Sequence, residues 1–447
     1  MNNRYLYLLF AAIFFTMISA NAQKKWSLTD CIDYALENNI ELNQQKLQVK
    51  KKDVNLLESK LSILPSLTTG TNAGFNYGRN VNPVDNSITY NQTLNNRYFI
   101  ESSVNIFQGL VKLNTIGFNR YMQSAMKAGV DIQQNRLIFD ILSGYYSVLY
   151  CNGLEQVAAQ QVEVSNLQVE RMKLLVKAGK ESQITVQQLE SQWASDKLNL
   201  TQAENATRQS VLILKQLLRI ETNYNLFFST LSTVNLQTET SLVADSVFQT
   251  ALQILPQIEQ YKMFLKASEK DLAIAKGLVT PRFYLFAGLY SGYYNANDPA
   301  NPAADFSYQL NNNLSQQVAL GVSIPIFKQA SGYSRIKQKQ ISVKEQQLKL
   351  EKTKDNLYSE ISTAIEELNA SKKEYYASQE LRNFSKLSLK NVSIKLEHGL
   401  SSVTDYESAR QKYTSAEAGL LKSKLMYVMR KQILKFYQSG NWNHLYN

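Results

Sequence analysis

Catalytic and metal chemistry draws on cysteine, histidine and clustered carboxylates, and this chain offers few of them. Its 447 residues hold two cysteines, Cys31 and Cys151, and two histidines, His398 and His444. They are scattered, and none belongs to a group with metal-ligand spacing. Two cysteines do not make a disulfide framework, so they read as free thiols. No phosphate-cradling glycine loop and no nucleophile elbow occurs. The residues that do form a pattern are turn residues with carboxylates behind them. Gly179 and Gly399, 220 positions apart, each interrupt a helical stretch. Glycine takes φ > 0 at no steric cost, which a helix C-terminus commonly needs. Past Gly399, Leu400 and Ser401 come Asp405 and Glu407. Asp405 falls in an N-terminal turn, where negative charge suits the helix dipole. His398, at a solvated turn without an identified partner, reads as a surface residue rather than a pH switch. The expected chemistry is that of shape and charge: no enzyme, no cofactor and no metal.

The elements that position these turns occur twice. At an offset of 216, Ala35-Leu36 falls on Ala251-Leu252, Lys50 on Lys266, Leu56 on Leu272 and Pro65 on Pro281. At 220, Phe107 falls on Phe327 as Gly179 does on Gly399. A period above 200 residues is a duplicated domain, since solenoid units recur every ~20 to 50. Prolines mark the layout, with none between Pro83 and Pro256 and none after Pro325, so long helices can run there. The spacing predicts a helix from Ser27-Leu28-Thr29-Asp30 to about Ser62, then strands at about 66–78 and 97–107. A helical pattern follows from Val111 to Ala178, weakened by Gly117, Gly129, Gly144 and Gly153, with Val157, Val164, Leu167 and Leu174 in one heptad frame. The first repeat occupies 23–220 with its tip near 179, and a Thr/Ser/Asn-rich linker covers 221–240. The second repeat, 241–440, has a helix from about Leu242, strands at about 283–294 and 317–327, a loop at 295–315 and a tip near 399. Residues 441–447 form a tail. Each half holds two helices of about 35 residues and one of about 65, or ~50 Å and ~100 Å. Two short helices end to end match one long one, which suits a coiled-coil cylinder of uniform height.

The N-terminus carries Arg4, an apolar run from Leu6 to Ile18, and Ala20-Asn21-Ala22, the pattern of a signal peptide over residues 1–22. Residue 23 is Gln, so no lipid anchor is suggested there. The net charge of +11 is spread over helical stretches, which with export argues against nucleic acid. No later segment has the apolar run of a transmembrane helix. The strands nevertheless have the ~9 to 11 residues that a tilted strand needs to cross a bilayer. Leu67, Thr69, Thr71, Ala73, Phe75 and Tyr77 face one way, with Gly, Asn and Thr on the other. Tyr98, Ile100, Leu285, Leu289, Tyr293, Leu320 and Ile324 continue the bulky set, and Phe99 and Phe286 break it. Four strands cannot close a barrel, for which ~8 is the minimum, so copies must pool them. The residues leave two architectures open: a pooled barrel, and a soluble periplasmic coiled-coil scaffold with hairpins packed on its helices.

Leu396-Glu397-His398-Gly399-Leu400-Ser401-Ser402-Val403-Thr404-Asp405, followed by Ala409-Arg410, resembles the tip motif of the TolC-like outer membrane efflux proteins. Ala178-Gly179-Lys180-Glu181-Ser182 with Ile184-Thr185 is a degraded copy. Ile106-Phe107-Gln108-Gly109 and Ile324-Pro325-Ile326-Phe327 resemble the family's strand ends. The resemblance runs from about Trp26 to Gly440. It implies an α+β membrane protein built of a duplicated helix–β-hairpin–long helix unit. It further implies a homotrimer whose twelve-stranded barrel sits in outer-membrane lipid and continues as a helical periplasmic tunnel. As an exit duct, it would join an inner-membrane pump through a periplasmic adaptor (membrane fusion) protein. By the same resemblance, Gly179, Gly399, Leu400 and Ser401 would meet the adaptor. Asp405, with Glu407 nearby, would line the narrow end of the tunnel as an acidic ring. The family's second acidic position is Ser408 here, and Thr185 and Gln188 hold the matching places in the first repeat, so the ring is thinner than usual.

Overall fold

The computed structural model describes residues 25–81, 86–90, 92–221, 227–228, 243–296, 302–327 and 329–446. The expected signal peptide, and all of the expected linker but residues 221, 227 and 228, lie outside them. In chain order the main elements are α1 (Leu28–Asn38), α2 (Ile40–Leu61), β1 (Ser66–Asn76), β2 (Thr93–Gln108), α3 (Val111–Lys177) and α4 (Gln183–Leu218). Then come α5 (Ala244–Ile254), α6 (Pro256–Gly277), β3 (Arg282–Asn295), α7 (Phe306–Asn312), β4 (Ser315–Ser323), α8 (Ser331–Glu397) and α9 (Val403–Ser439).

The single helix expected up to Ser62 is two helices. Its start holds: the Asp30 N–H donates to Ser27 Oγ at 3.1 Å, and the Ser27 N–H to Asp30 Oδ2 at 2.9 Å. The split falls at Asn39, extended at φ −69°, ψ 127°. Asn39 gives its N–H to Ala35, and its side-chain oxygen accepts the Leu42 N–H at 2.9 Å. One residue thus ends α1 and caps α2. The expected helix from Leu242 splits likewise, at Leu255 (φ −79°, ψ 132°), 216 positions after Asn39. There Pro256 keeps the preceding residue out of the α region. The duplication preserves the break while the residues that cause it differ.

Glycine does not interrupt α3, which runs unbroken for 67 residues. At Gly153 a side chain would collide with Leu421, so glycine permits a close helix approach there. The heptad frame of α3 is not the face that this chain covers by itself. Leu167 and Leu174 are 62% and 65% exposed. The buried seam is instead Val169 and Met172, packed with Val186 and Leu189 of α4. Periodicity marked an apolar face without saying which face the chain covers itself. On α8, Leu357, Ile361 and Ala364 turn inward and are buried.

The four strands form one antiparallel sheet in the order β1–β2–β3–β4. β2 begins at Thr93, four residues earlier than expected, because β1 pairs with it along its whole length, to Asn76↔Thr93. β4 covers Ser315–Ser323 rather than 317–327, and Pro325, which has no N–H to give a ladder, lies just beyond it. The register sets residues of the predicted bulky set side by side: Thr69↔Ile100↔Leu289 and Leu285↔Leu320. The loop expected at 295–315 contains α7. It takes over the edge of β3 where β4 is absent, since β3–β4 pairing stops at Tyr290↔Ser315. Beyond that point Ser291 Oγ donates to Leu310 O (2.6 Å) and Asn313 Nδ2 to Gly292 O (2.8 Å). Buried Gln309 accepts the Tyr294 N–H and donates to its carbonyl, both at 2.9 Å. A helix thereby satisfies a strand edge.

The chain packs as two compact units that cut across the repeats. One gathers residues up to Gln45, Val130–Pro256 and Lys354 onward; the other gathers Lys46–Gly129 and Gln257–Thr353 and holds the sheet. In the first, Trp442 stacks on Phe436 (ring centroids 4.5 Å apart) and donates to Asn135 at 3.1 Å, docking the tail. No helix of the described residues is long and apolar enough to cross a membrane.

Candidate channel site: tip turns and a two-faced sheet

Both long helices end in the same turn. The Gly179 N–H bonds Val176 O (2.9 Å) and the Lys180 N–H bonds Leu175 O (3.0 Å). The Gly399 N–H bonds Leu396 O (3.1 Å) and the Leu400 N–H bonds Lys395 O (2.8 Å). This paired pattern needs a left-handed residue between, and the glycines have φ +68° and +69°. Three residues on, Ser182 and Ser402 cap the returning helices. Leu400 occupies the turn position that usually packs back on the helix, but its would-be partner is Lys395, and Leu400 stays 76% exposed.

Asp405 and Glu407, both expected at the constriction, have different partners. Asp405 faces its own cap: Oδ2 accepts from Ser402 Oγ (2.7 Å) and the Ser402 N–H (3.1 Å) and contacts Ser401 Oγ at 3.4 Å. The Ser402 hydroxyl, then the Ser402 N–H, hold its carboxyl below the ordinary value. In the first repeat Thr185 stands there and shares a 3.0 Å hydroxyl contact with Ser182. Glu407 turns inward to Arg410, whose Nε donates to Glu407 Oε2 at 2.7 Å. Arg410, only 5% exposed, also makes an ion pair with Asp196 of α4 (2.9 Å) and donates to Gln161 of α3 (3.1 Å). Burial raises the Glu407 pKa, against the pull of Arg410. Burial would lower Arg410, but its partners, Asp196 foremost, outweigh that and hold it above its ordinary value. These residues border a cleft of about 670 Å³ between α3, α4 and α9. The Glu407/Arg410 spacing of i, i+3 was visible in the sequence. Asp196 and Gln161 carried no signal, because nothing in their neighbourhoods points to a partner over 200 residues away.

The sheet has one face for each solvent. Every charged residue on its strands, namely Arg97, Glu101 and Arg282, lies on a single face by register and alternation. The opposite face is uncharged and exposes Leu67, Ile100, Leu289, Val318 and Leu320. Phe99, an exception to the sequence pattern, belongs to the charged face and lies over Gly70, where a Cβ would sit 2.6 Å from its ring. A bulky ring over a glycine leaves that face flat.

An exposed, charge-free sheet face on strands of bilayer-crossing length is the pattern of a membrane-spanning sheet. A family described as outer membrane efflux protein matches residues 31–218 and 247–436, so the chain belongs to that family. It is an outer-membrane protein of a Gram-negative bacterium, with a large periplasmic portion, and an efflux duct in general function. Among solved structures, the chain is similar to CusC (15% identity, TM-score 0.80, covering 94% of this chain and 93% of that one). It is likewise similar to VceC of Vibrio cholerae (13%, 0.78, 93% and 96%) and the CmeC channel of Campylobacter jejuni (15%, 0.77, 93% and 88%). At such identities the likeness establishes the fold. No curated protein sequence matches the chain.

Proposed function

We propose that three copies pool their sheets into a twelve-stranded barrel. The assembly is the exit duct of a tripartite efflux or type I secretion system, joined to an inner-membrane pump by a periplasmic adaptor. The observation that carries this reading is the sheet itself: four strands, outer strands β1 and β4 each with an edge unpaired among the described residues, and one uncharged exposed face. Lipid admits no open edge and barrels need ~8 strands, so the sheet spans only by joining other copies.

The tips carry the coupling. Gly179, Gly399, Leu400 and Ser401 meet the adaptor, and exposed Leu400 is the apolar knob for it. Asp405 is the acidic residue of the periplasmic constriction. Glu407, tied to Arg410, supports that turn from within the protomer. The test pairs oligomeric mass in detergent with single-channel conductance. A trimer with discrete steps, whose divalent-cation block is lost in Asp405→Ala, supports the duct. A monomer that stays soluble without detergent and never conducts refutes it.

A further inference from the structure

The charged face of the sheet holds one arrangement twice, and the duct function does not use it. The Arg282 guanidinium lies 5.1 Å from the ring centre of Tyr284, and Arg97 lies 4.9 Å from that of Tyr290. Each tyrosine rests by a glycine. Tyr284 stands opposite Gly321, where any Cβ would collide with its ring. Tyr290 lies along its own strand beside Gly288, where a Cβ would sit 2.6 Å from its hydroxyl. The Tyr290 hydroxyl donates to Glu101 Oε1 at 3.1 Å, which anchors the ring at its far end.

We infer that these two layered stacks, glycine then tyrosine then arginine, are anion-contact stations on the wet wall of the duct, and that they take carboxylate- or phosphate-bearing cargo. A guanidinium held over an aromatic ring makes no hydrogen bond to it, and its N–H fork matches carboxylate and phosphate bidentately. Among the described residues neither Arg97 nor Arg282 makes an ion pair, and both are exposed. Glu101 is the only acid on the strands and is engaged by Tyr290. Arg282 and Arg97 lie toward opposite ends of β3, paired at Gln108↔Arg282 and Arg97↔Gly292, so an anion meets one station and then the other. The inference rests on the duct reading for its direction of traffic, whereas binding itself does not.

The test is calorimetric titration of inorganic triphosphate into the detergent-solubilised full chain at fixed low ionic strength, beside bilayer recordings. Losing a charged hydrogen-bond donor from such a site costs on the order of tenfold in affinity. Arg97→Gln/Arg282→Gln is therefore expected to bind at least tenfold more weakly than the unchanged protein. Arg97→Lys/Arg282→Lys keeps the charge and loses the flat fork, and is expected to fall between; it serves if the Gln variant does not assemble. Gly321→Ala displaces the Tyr284 ring without touching charge and should weaken binding as well. Equal affinity in all variants, or no binding by the unchanged protein, overturns the inference while leaving conductance, and so the duct, standing. Binding that the variants lose, in a protein that never conducts, keeps the stations and sinks the duct.

Discussion

Arg410 supplies the most demanding prediction. Its side chain is 6% exposed and joins Asp196 (7%) and Glu407 (20%). In Arg410→Met both carboxylates lose their counter-charge in a poorly solvated place. Removing one partner of a buried pair costs about 3–5 kcal/mol. Glu407 is partly wet, so the lower end is expected, about 3 kcal/mol. The loss is local to the first turns of α9, because the three residues tie α9 to α4. Hydrogen exchange of the amides of 403–414 should therefore accelerate on the order of a hundredfold, as each ~1.4 kcal/mol is tenfold in an opening equilibrium. The triple variant Arg410→Met/Asp196→Asn/Glu407→Gln removes the stranded charges and should recover most of the protection. Unchanged exchange in the single variant, or a triple variant no better than the single, would refute the reasoning that buried charge compensation holds this tip.

Asp405 has a folded pKa below its unfolded one, so its contribution is present above the unfolded value and lost as pH falls through the folded one. Exchange at 403–406 should rise in that acidic window, and Asp405→Asn should abolish the pH dependence. Ser402→Ala removes the cap of α9 and should cost roughly 1 kcal/mol, read as faster exchange of the same amides. Leu400→Ser should leave thermal stability nearly unchanged, because Leu400 is 76% exposed, but should reduce adaptor capture in crosslinking; intact crosslinking would remove Leu400 from the contact. Gln309→Ala deletes the two bonds to Tyr294 and one to Ala304. It should cost about 1–3 kcal/mol and free α7 from β3, seen as new protease cleavage within 303–314.

The duplication, the long proline-free helices, the four amphipathic strands and the glycine tips were all legible in the residues, because each is a local signal. Proline, glycine and period-2 alternation act on their own backbone or on near neighbours, and they need no tertiary partner to be read. Strand faces were legible for the same reason, and the register of the sheet then aligned them, since a pleat admits only two sides. What depended on distant chain was not legible. α7 forms where β4 leaves an edge to be satisfied. The heptad frame of α3 marked an apolar face, but packing against α4 buried Val169 and Met172 and left Leu167 and Leu174 outside. The tip carboxylates, paired in sequence, were separated by the fold: Asp405 to its cap, Glu407 to an arginine shared with Asp196. A charge chooses its partner by distance and burial, and those exist only once helices more than 200 residues apart in the chain lie side by side.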